Sequence, residues 1–331
     1  MPGNRKCHMH FRRIGDTELD CSIIGLGTGR LASVSGGVSR AQATRLLGVA
    51  EDCGINLIDT ANSYAQGGCE KMIGAAWKGK RSKFIVITKA GYCFSALGGG
   101  LKLLKPLAKR ALKFFKGGRE LSGSVRGSVS RQNFNPGTIR NDVVNSLLRL
   151  GTDYVDVFLL HSPTQEAMAD RELFEMLRQL KREGKIRHFG VSSPDSVVLE
   201  RALSVAGLTV VQTPVNPVQT GDHSLLARFQ SAKIGVVANQ IFLSGKLLGT
   251  SDAEGDVSRA KAGLESLAAV KGISLNHLLI QNVLAQPGVV SALTGTTNIE
   301  HLKQNVSDAL AGSVVSVEEV TTALRGEASR F

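Results

Sequence analysis

Residues Gly54–Glu70 read GINLIDTANSYAQGGCE. A strand-like run, Ile55 to Ile58, stops at once on a carboxylate, Asp59, and Tyr64, one of three tyrosines in the chain, follows five residues later. A short apolar run that ends on an acid and leads into a polar loop and then a helical pattern is what a parallel strand looks like at the end where side chains gather.

The run is one of eight. CSIIGLGT (21–28), INLIDT (55–60), FIVITKA (84–90), YVDVFLLHS (154–162), IRHFGVSS (186–193), VVQTPVN (210–216), IGVVAN (234–239) and VVSALTGT (289–296) are each followed by polar or Gly-rich residues. Each leads on to a helical pattern, with amphipathic stretches such as SRAQATRLLGVAEDCG, NPGTIRNDVVNSLLRLG or RELFEMLRQLKREGK that have apolar residues three and four apart and Gly at the C-terminal stop. Strand–helix alternation implies parallel strands joined by right-handed crossovers, and eight such units predict a closed (β/α)8 barrel, a TIM barrel. A doubly wound dinucleotide fold should show GxGxxG between its first strand and helix; here GLGTGRLASVSGG runs through a long loop before helical periodicity starts at Ser39. Ahead of the first barrel strand, FRRIGDTELDCSII has two extended halves around GDTE, an N-terminal β-hairpin placed to plug the barrel's bottom. Residues 1–331 are read as a single domain.

Composition narrows the function. No run approaches the roughly 20 apolar residues of a membrane span, and MPGNRKCHMHFRR lacks a secretory apolar core, so a soluble, cytoplasmic protein is expected. Five cysteines without a CxxC pair suit free thiols. The CHMH run at 7–10 lacks a partner cluster, and no metal is expected. Net charge is +12, but nine basic residues against Glu120 place +8 of it between Ser95 and Arg131, so a nucleic-acid partner is not expected. Those residues belong to a long basic insert after the third strand, at about 92–133. Lys102, Lys105, Lys109, Lys113 and Lys116 alternate there with apolar residues at helical spacing. A lid or buttress is the plain reading of this amphipathic segment; a rim for anionic substrates, or contact with an acidic membrane surface or acidic partner, are the sharper ones. Tyr92 and Phe94, at its start, are the expected substrate-pocket walls.

Strand ends two, three and four deliver Asp59, Lys89 and His161 to one rim, and Tyr64 follows in the loop after Asp59. Singly, each has an ordinary structural reading: helix cap, solvated lysine, hydrogen-bonded histidine, packed phenol. Together they suit proton donation to a carbonyl oxygen as hydride reaches its carbon. A phenol titrating near ~10 needs help at neutral pH. Lys89 is expected to lower that value, Asp59 to hold Lys89, and His161 to orient a carbonyl from a neutral ring.

In FRRIGDTELDCSIIGLGTG, GINLIDTANSY…CEKMIGAAW, FIVITKAG, IRNDVVNSLLRLGTDYVDVFLLHSP, LKREGKIRHFGVSS, VVQTPVNPVQ and LTGTTNIEHLKQNV, the sequence resembles the aldo-keto reductases over nearly its whole length. The resemblance implies a (β/α)8 barrel and reversible NAD(P)H-dependent reduction of a small aldehyde or ketone. It also implies a catalytic tetrad of Asp59, Tyr64, Lys89 and His161, with Tyr64 as proton donor. The implied cofactor set is Gly27, Thr28 and Asp59; Ser192, Ser193 and Gln212 at the nicotinamide carboxamide; Gly295, Thr296 and Thr297 at phosphate; and Gln304 and Asn305 at adenine. The chain departs from the family at Ser193, where an amide is usual, at Asn239, where an aromatic often stacks on nicotinamide, and at His301, where many members carry an arginine for the 2′-phosphate. NADPH is the preferred cofactor on this reading, with NADH the second candidate. A redox-sensing regulatory subunit and a specialised sugar or biosynthetic-intermediate dehydrogenase are the alternatives.

Overall fold

The computed structural model describes residues 8–32, 38–77, 79–94, 130–219, 223–249 and 255–325. Two short strands come first, β1 (Phe11–Arg13) and β2 (Asp20–Ser22), paired antiparallel. Then follow β3 (Ile24–Gly27), β4 (Leu57–Asp59), β5 (Ile85–Ala90), the hairpin strands β6 (Tyr92–Phe94) and β7 (Ser130–Gln132), β8 (Val155–His161), β9 (Ile186–Ser192), β10 (Leu208–Pro214), β11 (Gly235–Asn239) and β12 (Val289–Thr294). Strands β3, β4, β5, β8, β9, β10, β11 and β12 close in that order into a parallel barrel surrounded by helices. All eight predicted runs are barrel strands. The first run conceals a break, because Cys21 and Ser22 pair with the hairpin and the barrel strand starts only at Ile24.

Period-two alternation decides what the barrel holds. One residue from each turn of the pleat faces inward: Leu57, Ile85, Ile87, Val157, Leu159, Val210, Val237, Val290 and Leu293 form a single buried cluster. Ile14, Leu19 and Cys21 of the hairpin join that cluster, so the hairpin does plug the barrel. Its turn is tied to the strands' N-terminal ends by Asp16 N–H donating to Lys233 O at 2.8 Å. Gly15, at φ 49°, packs so closely on the backbone of Lys233 and Gly235 that a side chain has no room. Arg12 reaches the carbonyls of Leu284 and Val289 at 2.9 and 2.7 Å. Burying each large aliphatic side chain of this kind is worth about 1.5–3 kcal/mol, which is what fixes the floor beneath the site.

The helices start where the sequence supplies caps. Ser39 and Gln42 form a capping box for Arg40–Asp52, and Asn135 caps Pro136–Leu150 with proline in its first turn. Gly151, left-handed at φ 65°, stops the latter. The insert leaves and re-enters the barrel through the β6–β7 pair, Tyr92 opposite Gln132 and Phe94 opposite Ser130. The predicted basic amphipathic segment and the side chain of Phe94 lie outside the described residues.

Candidate active site

Continuing the inward register upward, each apolar column ends in a polar group: Leu57 leads to Asp59, Ile85 and Ile87 to Lys89, Val157 and Leu159 to His161, and Val210 to Gln212. Three adjacent columns, on β4, β5 and β8, and a fourth on β10, beyond β9, thus deliver four polar side chains to one layer at the strands' C-terminal ends. Lys89 is 1% exposed, and its Nζ donates to the Asp59 carboxylate and, at 3.0 Å, to Thr60 O. Burial alone would bring this ammonium down; Asp59, and behind it Tyr64, outweigh burial and hold Lys89 above the ordinary lysine value. Gln212 Nε2 donates to the same Asp59 oxygen at 2.7 Å, while its Oε1 accepts from Ser192 Oγ at 2.9 Å and from Asn239 Nδ2 at 3.4 Å.

Tyr64 stands over this pair, its ring centroid 5.2 Å from Lys89 Nζ and 6.2 Å from the His161 ring at 85°. Here the structure departs from expectation. Lys89 does pull the phenol down, but burial pushes harder and Tyr64 stands above its ordinary value. The phenol is therefore protonated at neutral pH, the state a proton donor requires. Burial, with Lys89 adding to it, depresses His161 to about 3, so its ring is neutral as expected. Ser63 Oγ meets His161 Nδ1 at 3.5 Å; donation from that hydroxyl leaves the ring proton on Nε2. Tyr92 packs edge-on against His161 at 4.9 Å, and Gln132 beside it in the hairpin donates to Ser162 O at 2.8 Å.

Three residues not singled out from the sequence hold the Tyr64 loop. After Tyr64 the chain makes three left-handed residues in succession, Ala65, Gln66 and Gly67 at φ 51°, 56° and 79°, a costly path for the two that carry Cβ. Glu70 stabilises it. Fully buried in the helix Gly68–Ala76, its carboxylate accepts from Thr88 Oγ1 at 2.6 Å and from Arg149 Nε at 2.5 Å. Thr88 precedes Lys89, and Arg149 packs against Gly67. The clamp therefore ties the loop bearing Tyr64 to the strand bearing Lys89. The signal was in the opening stretch: an acid amid an apolar helix needs a buried partner.

From this layer a cleft of about 690 Å³ runs outward, lined by Tyr64, Asp59, Gly27, Asn239, Gly295, Thr296, His301, Gln304 and Asn305 among others. Five predicted cofactor residues do not line it. Thr28 is buried, donating N–H and Oγ1 to Asp59 O, both at 2.9 Å, which fixes the end of β4. Ser192 and Gln212 are spent on the network under the tetrad, Ser193 Oγ accepts from Asp195 N–H at 3.1 Å, and Thr297 stands aside. The helix Ile299–Leu310 is capped by Asn298, whose Oδ1 takes the N–H groups of Glu300 and His301 at 2.8 and 3.3 Å. A phosphate would therefore meet the loop Gly295–Thr297 rather than those first-turn donors. Arg30, Gln240, Ser244, Leu248 and Asn276 line the cleft without having been foreseen. Gly29 lies beneath the phenol, where a Cβ would sit 3.5 Å from Tyr64 Cε2.

The cleft also offers an orphan. Asn239 Oδ1 is buried without a partner among the described residues, an acceptor in the wall beside Tyr64 and Asp59 suited to an amide N–H of a bound group. Its sequence position is where a stacking aromatic was expected; the structure has a polar contact there, with Phe242 nearby in the same wall.

The family model described as the aldo/keto reductase family matches residues 23–321. The chain belongs to the aldo/keto reductase family. Among the curated relatives of this aldo-keto reductase is the uncharacterized oxidoreductase YqkF of Bacillus subtilis, 28% identical, the match covering 94% of each chain. The aldo-keto reductase YhdN of the same organism is 30% identical over 87% of this chain and 85% of its own. An NADH-specific methylglyoxal reductase of Escherichia coli is 26% identical over 89% and 91%. Among solved structures, the holo form of aldo-keto reductase AKR11C1 from Bacillus halodurans superposes with a TM-score of 0.76 at 25% identity, covering 97% of this chain and 96% of that one. Membership makes the chain an oxidoreductase acting on carbonyl groups.

Proposed function

We propose that the chain reduces the carbonyl of a small aldehyde or ketone with a reduced nicotinamide cofactor, Tyr64 supplying the proton. The observation that carries this is the clustering of a protonated phenol, a buried Lys89–Asp59 pair and a neutral imidazole around Tyr64, which together with Asp59 lines one cleft.

The residues fit the cofactor. Asn239 Oδ1 is an unmet acceptor for the carboxamide, the Gly295–Thr297 loop offers backbone donors for phosphate, and Gln304 and Asn305 stand at the adenosine end. A reduced nicotinamide, when bound, supplies the hydride. The chain's own residues do the rest. His161 Nε2–H donates to the substrate oxygen, holding the carbonyl without surrendering a proton, because the ring titrates far below neutrality. Tyr64 then transfers its phenolic proton to that oxygen as negative charge develops there. Lys89 stabilises the phenolate left behind, and Asp59 keeps Lys89 charged and aimed. Run backwards, the same groups would oxidise an alcohol.

The test is turnover of purified protein on an aldehyde panel, followed by loss of dihydronicotinamide absorbance. Tyr64→Phe should lower kcat by about three orders of magnitude while dinucleotide affinity holds. Wild-type protein without turnover on any aldehyde and without affinity for either dinucleotide would sink the proposal. A redox sensor, by contrast, would keep slow turnover and lose little on Tyr64→Phe.

A further inference from the structure

His161 ends β8, and the residue after it is held in a conformation that its own chemistry disfavours. Ser162 stands at φ 52°, in the left-handed region, although it carries a Cβ and precedes Pro163. Both features favour extended backbone: a left-handed Cβ crowds the following carbonyl, and a proline ring pushes the residue before it toward the β region. Two hydrogen bonds pin the peptide groups on either side. The Ser162 N–H donates to Ser192 O at 2.7 Å, on β9 within the barrel. The Ser162 carbonyl accepts from Gln132 Nε2 at 2.8 Å, on the β6–β7 hairpin outside it.

The hairpin does not depend on that second bond, whereas Ser162 does. Asn133 N–H donates to Gly91 O at 2.8 Å, Tyr92 pairs with Gln132, and the Phe134 ring fills the space where Gly91, at φ 133°, lacks a Cβ. The base of the hairpin is thus closed on its own account. Residues opposite each other in an antiparallel pair project to one face, so a single rung reaches the His161–Ser162 dipeptide twice. Tyr92 packs edge-on against the imidazole with ring centroids 4.9 Å apart, and Gln132 takes the carbonyl of the next residue. The ring's other contacts are looser. Ser63 Oγ lies 3.5 Å from Nδ1, at the outer limit of a hydrogen bond, and the Tyr64 ring is 6.2 Å away.

We infer that Gln132 is a positioning residue for carbonyl reduction: by holding Ser162 in the left-handed region it keeps His161 against Tyr92, with Nε2–H aimed at the substrate oxygen. This rests on the proposed function, which gives His161 a substrate to orient. The penalty for a left-handed Cβ and the net worth of one hydrogen bond are of similar size. Loss of the Gln132 bond therefore frees Ser162 to relax toward extended backbone, and the imidazole, on the last residue of its strand, turns with it.

Steady-state kinetics of full-length Gln132→Leu, on an aldehyde that the wild type reduces, test it. Gln132 is exposed, so the variant should fold, which circular dichroism checks. Its kcat should fall about tenfold, within what a misplacement of under ~1 Å brings, while dinucleotide affinity by calorimetry holds. Ser162→Gly is the discriminating background. Glycine enters the left-handed region without penalty, so adding Gln132→Leu there should lower kcat by about twofold or less. A merely structural role for Gln132 would give the same loss in both backgrounds. Imidazole NMR spectra provide a readout besides activity: the His161 Nε2–H signal should shift or broaden in Gln132→Leu and return in the double variant. An unchanged kcat in folded Gln132→Leu, an equal loss beside Ser162→Gly, or an unmoved His161 signal overturns this inference alone. Wild-type protein that reduces no aldehyde overturns it together with the proposed function.

Discussion

Removing the His161 imidazole should make the protein more resistant to acid unfolding. The ring is pushed from an ordinary 6.5 to about 3, burial being the larger cause and the Lys89 charge the lesser. A histidine whose folded-state value lies below its unfolded value takes up its proton in the unfolded chain first. Stability is therefore lost as pH falls through about 6.5, and the loss levels off only near about 3, where the folded state also binds the proton. Between about pH 7 and about pH 4 the linkage integrates to on the order of 3 kcal/mol, from roughly 1.36 kcal/mol per pH unit over the part of the window in which only the unfolded chain is charged. The assay is urea unfolding followed by circular dichroism at several pH values, comparing wild type with His161→Gln. Subtracting the two curves removes the contribution of the carboxylates common to both. The wild type should lose about 3 kcal/mol more than the variant over that interval. Parallel curves would show that His161 titrates as an ordinary surface histidine, and the neutral hydrogen-bond donor assigned to the site would go with it.

Lys89→Met should abolish turnover and cost about 3–5 kcal/mol in urea unfolding, because Asp59 would remain buried with only the Gln212 amide as partner. Adding Asp59→Leu should recover part of that stability and none of the activity; a single variant as stable as wild type would contradict the pairing. Glu70→Gln should destabilise by about 3 kcal/mol by stripping Arg149 of its buried carboxylate. It should also lower kcat more than dinucleotide affinity, since the clamp holds the Tyr64 loop; steady-state kinetics beside calorimetry would separate the two.

The barrel was legible because its signal is repeated and local. Each of eight strands is a short apolar run followed by polar or Gly-rich residues, and the family likeness runs through the same segments. The convergence of Asp59, Lys89 and His161 was legible for a related reason: they end their columns, so sequence position alone puts them in one layer. What escaped was decided by partners distant in sequence. Nothing around Thr28 tells that its hydroxyl is spent on Asp59 O, and nothing around Gln212 tells that both ends of its amide are engaged below the cleft. The direction of the Tyr64 shift was misjudged because it is a contest between a nearby charge, visible as Lys89, and the depth of burial, which only the packed loop reveals.

The β6–β7 hairpin separates two design problems. Because Tyr92 to Phe94 pair with Gln132 to Ser130, the chain departs and returns at a single gate on the rim, next to His161. Closing a longer excursion at a gate already fastened costs only about 0.6 kcal/mol for each doubling of its length. The length of chain beyond the gate can thus change at little cost while the strands on either side keep their pairing. An engineer could therefore keep the hairpin as a splice point and exchange what lies beyond it, leaving the layer of Asp59, Lys89 and His161 untouched.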